Sequence, residues 1–270
     1  MRETNELTFL ALSFLFAIGT AIGSFANVLI DRLSNEESIG GRSHCDYCKH
    51  MLAWYDLVPV FSFLFLGGRC RYCQRKLSLQ YPLLEMLCGI LFVTVSVLYF
   101  RQAGYDGSAW YWVRLGLLLG MITCFHVVFF ADVKYQIIPD EMQIALAVLG
   151  SAWIMTGPLS WTQAGWVVGG VVAVTIPIFI LHFLTRGKGM GFGDVKLAAN
   201  IGLIMGIRNG LLSLYFGFIT GAVIGLLIMV VRKKGIKSRI AFGPFLVIGM
   251  AITLLFAPQI ARFLQTYYGL

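Results

Sequence analysis

Charge is scarce in this 270-residue chain: charged residues make up 13%, and acidic ones, 13 in number, fall well short of the 21 basic ones. So little polar surface cannot cover a soluble globule of this size. Low-complexity tracts and repeats with a period of 20 to 50 residues are both missing, which excludes disorder and solenoid architectures. No basic run is interleaved with aromatics, so the net charge of +8 is no argument for nucleic acid. What is abundant is apolar surface, at 58% of residues. Lipid is therefore the main solvent, and a bilayer crossing needs about 20 such residues.

Apolar stretches of this kind run over 7–30, 83–100, 110–131, 138–155, 165–184, 195–207, 210–231 and 242–263. The first is too long, and too poor in preceding positive charge, for a cleaved signal peptide, and is expected to stay as a helix. The expected fold class is an all-α polytopic membrane protein with about eight transmembrane helices. The short sixth stretch needs shielding by its neighbours, because unpaired backbone is not tolerated against lipid. Gly217, Gly221 and Gly225 recur every four residues on the seventh, a spacing that permits close helix packing. With both termini outside, 16 of the 21 basic residues fall on inside loops and 5 at or near the outer side, as the positive-inside bias requires.

The one substantial segment between spans is 31–80, which this topology puts in the cytoplasm. About fifty residues bury too little apolar surface to be stable without a staple. The segment holds Cys45-Asp-Tyr-Cys48 and Cys70-Arg-Tyr-Cys73. Two such pairs can converge on one ion as a tetrahedral sulfur site, which suits Zn²⁺. Structural disulfides, the alternative, do not persist in a reducing compartment. Four sulfur ligands leave no open position, so the expected zinc is structural. Cys88 and Cys124 lie within spans and read as small buried hydrophobes. The expected division is thus a first helix over 1–30, a zinc domain over 31–80 and a seven-helix membrane domain over 81–270.

Ionisable residues at membrane depth are costly and mark function. Asp132 closes the third span in Phe129-Phe130-Ala131-Asp132, where a carboxylate faces the negative end of the helix dipole and cannot be a cap. Neighbouring Asp140 has the ordinary explanation of an acid in a helix's first turn. Asp194 follows Gly187-Lys188-Gly189-Met190-Gly191-Phe192-Gly193, a run unsuited to regular helix that leads into the sixth span. No Walker lysine-serine pair follows it, so a nucleotide site is not indicated. Both aspartates fall at the cytoplasmic ends of spans. Two carboxylates brought together there share a proton, so one activates water while the other protonates a scissile carbonyl. The helix ends favour Asp194 as the starting base. Sequence alone does not bring the two together, and a solvated loop carboxylate remains the alternative for each. His126 and Arg114, also at membrane depth, are left as core contacts or cavity-shaping groups.

Gly191-Phe192-Gly193-Asp194 with Lys196, Asp132 ahead of Pro139-Asp140, Gly23-Ser24-Phe25-Ala26-Asn27-Val28, the two cysteine pairs, Gly68-Arg69-Cys70-Arg71 and Tyr81-Pro82-Leu83-Leu84-Glu85 stand in one order at compatible spacing. In these segments the chain resembles the type IV prepilin peptidases, the leader peptidase / N-methyltransferase family, over essentially its whole length. The resemblance implies a GxGD aspartic endopeptidase of the bacterial inner membrane that removes the basic leader of prepilins and pseudopilins after a glycine, on the cytoplasmic side. Asp132 and Asp194 would be catalytic, with Gly189, Gly191, Phe192, Gly193 and Lys196 forming the loop around them. It further implies N-methylation of the new N-terminus with S-adenosylmethionine, for which the sequence shows no Rossmann fingerprint. Where the family often has Arg-Leu-Pro, this chain has Arg32-Leu33-Ser34, a changed turn residue. Two rival readings are a presenilin-like protease, against which the cysteine loop argues, and a non-enzymatic assembly factor or transporter.

Overall fold

The computed structural model describes residues 2–103, 108–157, 160–232 and 241–268. The basic run of Lys233, Lys234, Lys237 and Arg239 used for orientation lies outside the described residues. The chain divides into two compact units, Met1–Val127 and Val128–Leu270.

The first unit contains α1 (Arg2–Ser34), a loop with the short α2 (Phe61–Phe65), α3 (Gln80–Ala103) and most of α4 (Ala109–Tyr135). Helices α1 and α3 meet through small residues. A Cβ on Gly19 would lie 2.8 Å from the Gly89 Cα, and one on Gly23 2.9 Å from the Glu85 Cα. With little apolar driving force between helices in lipid, such backbone proximity supplies the dispersion contact that holds them. Beyond α1, Arg32 donates to the carbonyls of Ile39 at 2.8 Å and Gly40 at 2.9 Å, pinning the start of the loop to the helix end.

The second unit contains the end of α4, then α5 (Asp140–Met155), α6 (Trp161–Leu184), α7 (Phe192–Arg232) and α8 (Gly243–Tyr268). Gly206 interrupts α7 with φ 68° and ψ −172°. A Cβ on Gly210 would lie 3.6 Å from the Gly202 Cα, whereas eight residues of straight helix span about 12 Å. The chain therefore doubles back at Gly206, and α7 is two helices in a hairpin. Gly206 is required there because its φ is in the left-handed region. A Cβ on Gly170 of α6 would come within 2.5 Å of the Gly202 carbonyl. Gly217 faces α8, where a Cβ would meet the Phe245 carbonyl at 3.1 Å, and a Cβ on Gly221 would meet the Phe245 ring at 3.3 Å. Asn200 of α7 donates to the Gln143 side chain of α5 at 2.7 Å.

Five helical segments have the length and composition to cross a membrane: Phe9–Ser34, Gln80–Gln102, Ala109–Tyr135, Trp161–Leu184 and Phe192–Val231. A shorter apolar helix covers Gly243–Phe256. The protein is all-helical and multi-pass.

Candidate active site and metal centre

Helix α4 stops because Gln136 takes φ 56° and its N–H bonds the Asp132 carbonyl at 2.9 Å, a left-handed C-terminal cap. The helix runs one residue triplet past the expected end, so Asp132 stands in its last turn and is 5% exposed. The next helix opens at Pro139, whose extended backbone begins α5. Asp140 in its first turn is solvent-facing and accepts from Lys196 Nζ at 2.7 Å.

Asp194 reaches the same unit from another direction. Helix α6 ends in a Schellman motif, with Arg186 at φ 50°, its N–H on the Phe183 carbonyl and the Gly187 N–H on the His182 carbonyl at 2.9 Å. His182 Nδ1 lies 2.8 Å from the Met190 carbonyl and its ring stands 5.6 Å from that of Phe192. The glycine run is thus anchored to the end of α6. Helix α7 then starts at Phe192, and the Gly191 N–H donates to Asp194 Oδ2 at 3.1 Å. That bond is half of a capping box, so one oxygen of Asp194 has a helix-starting role. The other does not: Asp194 Oδ1, like Asp132 Oδ2, is buried without a hydrogen-bond partner.

The two carboxylates share a neighbourhood built by Ile138 and Gly243. A Cβ on Gly193 would lie 3.1 Å from the Ile138 Cβ, and one on Gly243 would lie 3.0 Å from the Ile138 Cδ1 and 2.6 Å from Asp132 Oδ2. Asp132 is within Coulombic reach of Asp194. Buried polar atoms are normally satisfied, so two orphaned carboxylate oxygens in one cluster are a place for water or substrate groups. Gly189 packs on Thr185 and Gly191 on Asp194, while Phe192 is half exposed with Lys196 Nζ 5.3 Å from its ring centre. Sequence reasoning missed Gly243, Ile138 and His182. Gly243-Pro244 carries a helix-start signal, yet nothing in it shows that the glycine backs onto a carboxylate.

In the first unit, the thiols of Cys45, Cys48, Cys70 and Cys73 all lie within 4.8 Å of one another, and the sulfurs of Cys45 and Cys73 are 3.9 Å apart. A tetrahedral site with Zn–S near 2.3 Å has sulfurs about 3.8 Å apart, so the donor set fits zinc. The two halves are built alike. Isolated antiparallel bridges pair His44 with Met51 and Arg69 with Lys76, and Lys49 (φ 56°) and Gln74 (φ 57°) turn the chain left-handed after the second cysteine of each pair. Burial pushes the Cys70 thiol up, but the N–H groups of Cys73 and Tyr72 and the neighbouring thiols outweigh it and bring it down to about 7. Cys73 goes the other way, to about 11; the Arg75 N–H favours its thiolate, but burial and the three nearby thiols prevail. Four thiolates this close need a cation. Beside them Asp56 accepts from Arg71 Nε at 2.7 Å. Burial pushes its carboxyl up, yet Arg71, the Ala53 N–H and Tyr72 together hold it below the usual range.

A multi-pass helical membrane protein with two buried, under-satisfied carboxylates in one unit and a tetracysteine cluster in the other is the class these features define. The sequence profile of the bacterial peptidase A24 N-terminal domain matches residues 17–99, and that of the type IV leader peptidase family matches 118–226. A prepilin leader peptidase/N-methyltransferase of Neisseria gonorrhoeae is 30% identical over 277 residues, covering 92% of this chain and 91% of that protein. Proteins of the same name from Aeromonas hydrophila (29% identical; 98% of this chain, 97% of that one) and Bacillus subtilis (27%; 93% and 97%) are also similar. The chain belongs to the type IV leader peptidase family. No solved structure matches it significantly.

Proposed function

We propose that this protein is a membrane aspartic endopeptidase that cuts the leader from type IV prepilins and pseudopilins after glycine, with Asp132 and Asp194 as its catalytic pair, and that it N-methylates the residue so exposed. The observation that carries the peptidase half is the pair of orphaned oxygens, Asp132 Oδ2 and Asp194 Oδ1, in one buried cluster. Asp194, at the positive end of α7, acts as the base. It takes a proton from water as the water oxygen attacks the carbonyl carbon, while Asp132 donates its proton to the carbonyl oxygen. The Asp194 carboxylic acid then protonates the leaving amine nitrogen, the C–N bond breaks, and Asp132 recovers its proton from the hydroxyl it helped form. A substrate helix lying in the bilayer presents its cleavage point at a helix end, which is where these two residues stand.

The topology that goes with this reading has eight passes: α1, α3, α4, α5, α6, both arms of α7 and α8. The hairpin at Gly206 supports counting α7 twice, since its 41 residues would span about 60 Å as one helix. Both termini are outside. The cytoplasmic face of the inner membrane carries the zinc domain (31–80) and the aspartates, and 81–270 forms the seven-helix peptidase portion. Zinc held by Cys45, Cys48, Cys70 and Cys73 supplies structure to the loop. S-adenosylmethionine, when bound, supplies the methyl group.

The test is co-expression with a prepilin, following leader removal by mass. Asp132→Asn and Asp194→Asn are each expected to slow cleavage by about 10³-fold, the usual scale for loss of an acid or base. Processing at the parental rate by both variants overturns the assignment of the pair. A gain of one methyl group on the mature N-terminus reads the second activity.

A further inference from the structure

Three sequence motifs have no part in the peptidase chemistry: Gly23–Val28 of α1, Gly68–Arg71 of the loop, and Tyr81–Glu85 of α3. All three line one cavity of about 480 Å³ in the first unit. We propose that this cavity is the binding site for the sulfonium methyl donor, S-adenosylmethionine, an inference that rests on the methyltransferase half of the function above.

The volume lies in the range of small-molecule sites, about 300–1,000 Å³. Its charge selects a cation. Five carboxylates (Asp31, Glu37, Asp46, Asp56 and Glu85) line it, against two guanidiniums. Arg32 is spent on loop carbonyls and Arg71 on Asp56, so neither offers much charge to offset the acids. Glu85 is the most telling of them. It is 8% exposed in a helix of membrane length, held only by Oε2 accepting from the Val60 N–H at 2.7 Å and by a bond from Ser24. A buried acid set that deep in an apolar unit is kept for a partner.

The walls suit an adenine ring as well. Tyr81 is fixed at both ends, its carbonyl accepting from Asn27 Nδ2 at 3.2 Å and its hydroxyl donating to Asp46 Oδ2 at 3.1 Å. A clamped aromatic loses little entropy on stacking. Phe25 and Phe63 supply further apolar faces. A nucleoside carrying one permanent positive charge matches this mixture better than an extended basic peptide, which needs an open groove.

The transfer balances without any other co-reactant. The amine nitrogen of the new N-terminus, having given a proton to a cavity carboxylate and through it to solvent, bonds to the methyl carbon as the carbon–sulfur bond breaks. The bonding electron pair stays on sulfur, which leaves as a neutral thioether.

The direct test uses the full-length protein in detergent with radiolabelled S-adenosylmethionine. Ultraviolet cross-linking and peptide mapping should place the label within residues 21–85. Equilibrium dialysis should show Glu85→Gln weakening binding at least tenfold, and Val28→Trp, which fills the cavity from α1, abolishing it. The cross-link needs no variant, so it decides even where a substitution prevents folding. Label confined to 128–270, or both variants binding like the parent, overturns the cavity assignment and leaves the function standing wherever methylated product still forms. A parent chain that cleaves leaders but neither takes up label nor methylates overturns the cavity and the methyltransferase reading together.

Discussion

Gly243 has more influence on Asp132 than its lack of a side chain suggests. A Cβ there would sit 2.6 Å from Asp132 Oδ2 and 3.0 Å from the Ile138 Cδ1, so Gly243→Ala has to displace the carboxylate or its support. Overpacking of this kind costs about 1–3 kcal/mol. The expected outcome is folded protein whose leader cleavage is at least tenfold slower, read by mass on a co-expressed prepilin. Parental cleavage would show that Asp132 Oδ2 has room to move without consequence. Lys196 is the contrasting case. Its bond to Asp140 is short, but the side chains are 37% and 64% exposed, and such pairs are worth about 0–1 kcal/mol. A double-mutant cycle on thermal unfolding with Lys196→Ala and Asp140→Ala should give a coupling of that size. A coupling well above it would mean that the pair helps hold α7 to α5.

At the scale of elements, the α6 to α7 connection is where local sequence and long-range packing meet. The glycine run, the break before Phe192 and the acid in the first turn of α7 were all legible, because each is a local signal. The span ends that put Asp132 and Asp194 in terminal turns were legible from hydropathy. Their shared neighbours were not: Ile138 and Gly243 stand more than a hundred residues apart, and no periodicity encodes which loop backs onto which helix end. His182 was equally hidden, since a histidine in a helix's last turn has an ordinary dipole explanation. Its bond to the Met190 carbonyl ties down the loop that carries Asp194. His182→Ala is expected to make the 185–191 backbone exchange amide hydrogens faster while the α6 and α7 interiors stay protected, measured by hydrogen–deuterium exchange. The hairpin at Gly206 was half legible. Two apolar stretches separated by Arg208-Asn209 signalled the reversal, but the backbone contact of Gly170 with Gly202 that closes it depends on tertiary packing.

At the scale of the whole molecule, the division of chemistry between the two units makes a prediction about metal. All six cysteines precede residue 128, and the orphaned carboxylates follow it. Stripping zinc with a chelator, or in a Cys45→Ser/Cys70→Ser double variant, therefore acts on the first unit. The parent should contain close to one zinc per chain by elemental analysis, and the variant far less. Without the ion the loop loses its staple. So short a segment cannot compensate from its own core, and limited proteolysis should nick it between 35 and 79 while circular dichroism reports intact helices. Cys45 and Cys70 also line the cavity assigned to the methyl donor, and Asp46, the partner of the Tyr81 hydroxyl, follows Cys45 directly. Loss of zinc should then reduce methylation more than leader removal. Both are read from one mass spectrum of the same pilin: unmethylated mature product accumulating in the metal-stripped sample is the expected result. An equal fall in the two activities would mean that the zinc loop supports the peptidase as directly as it supports the transferase.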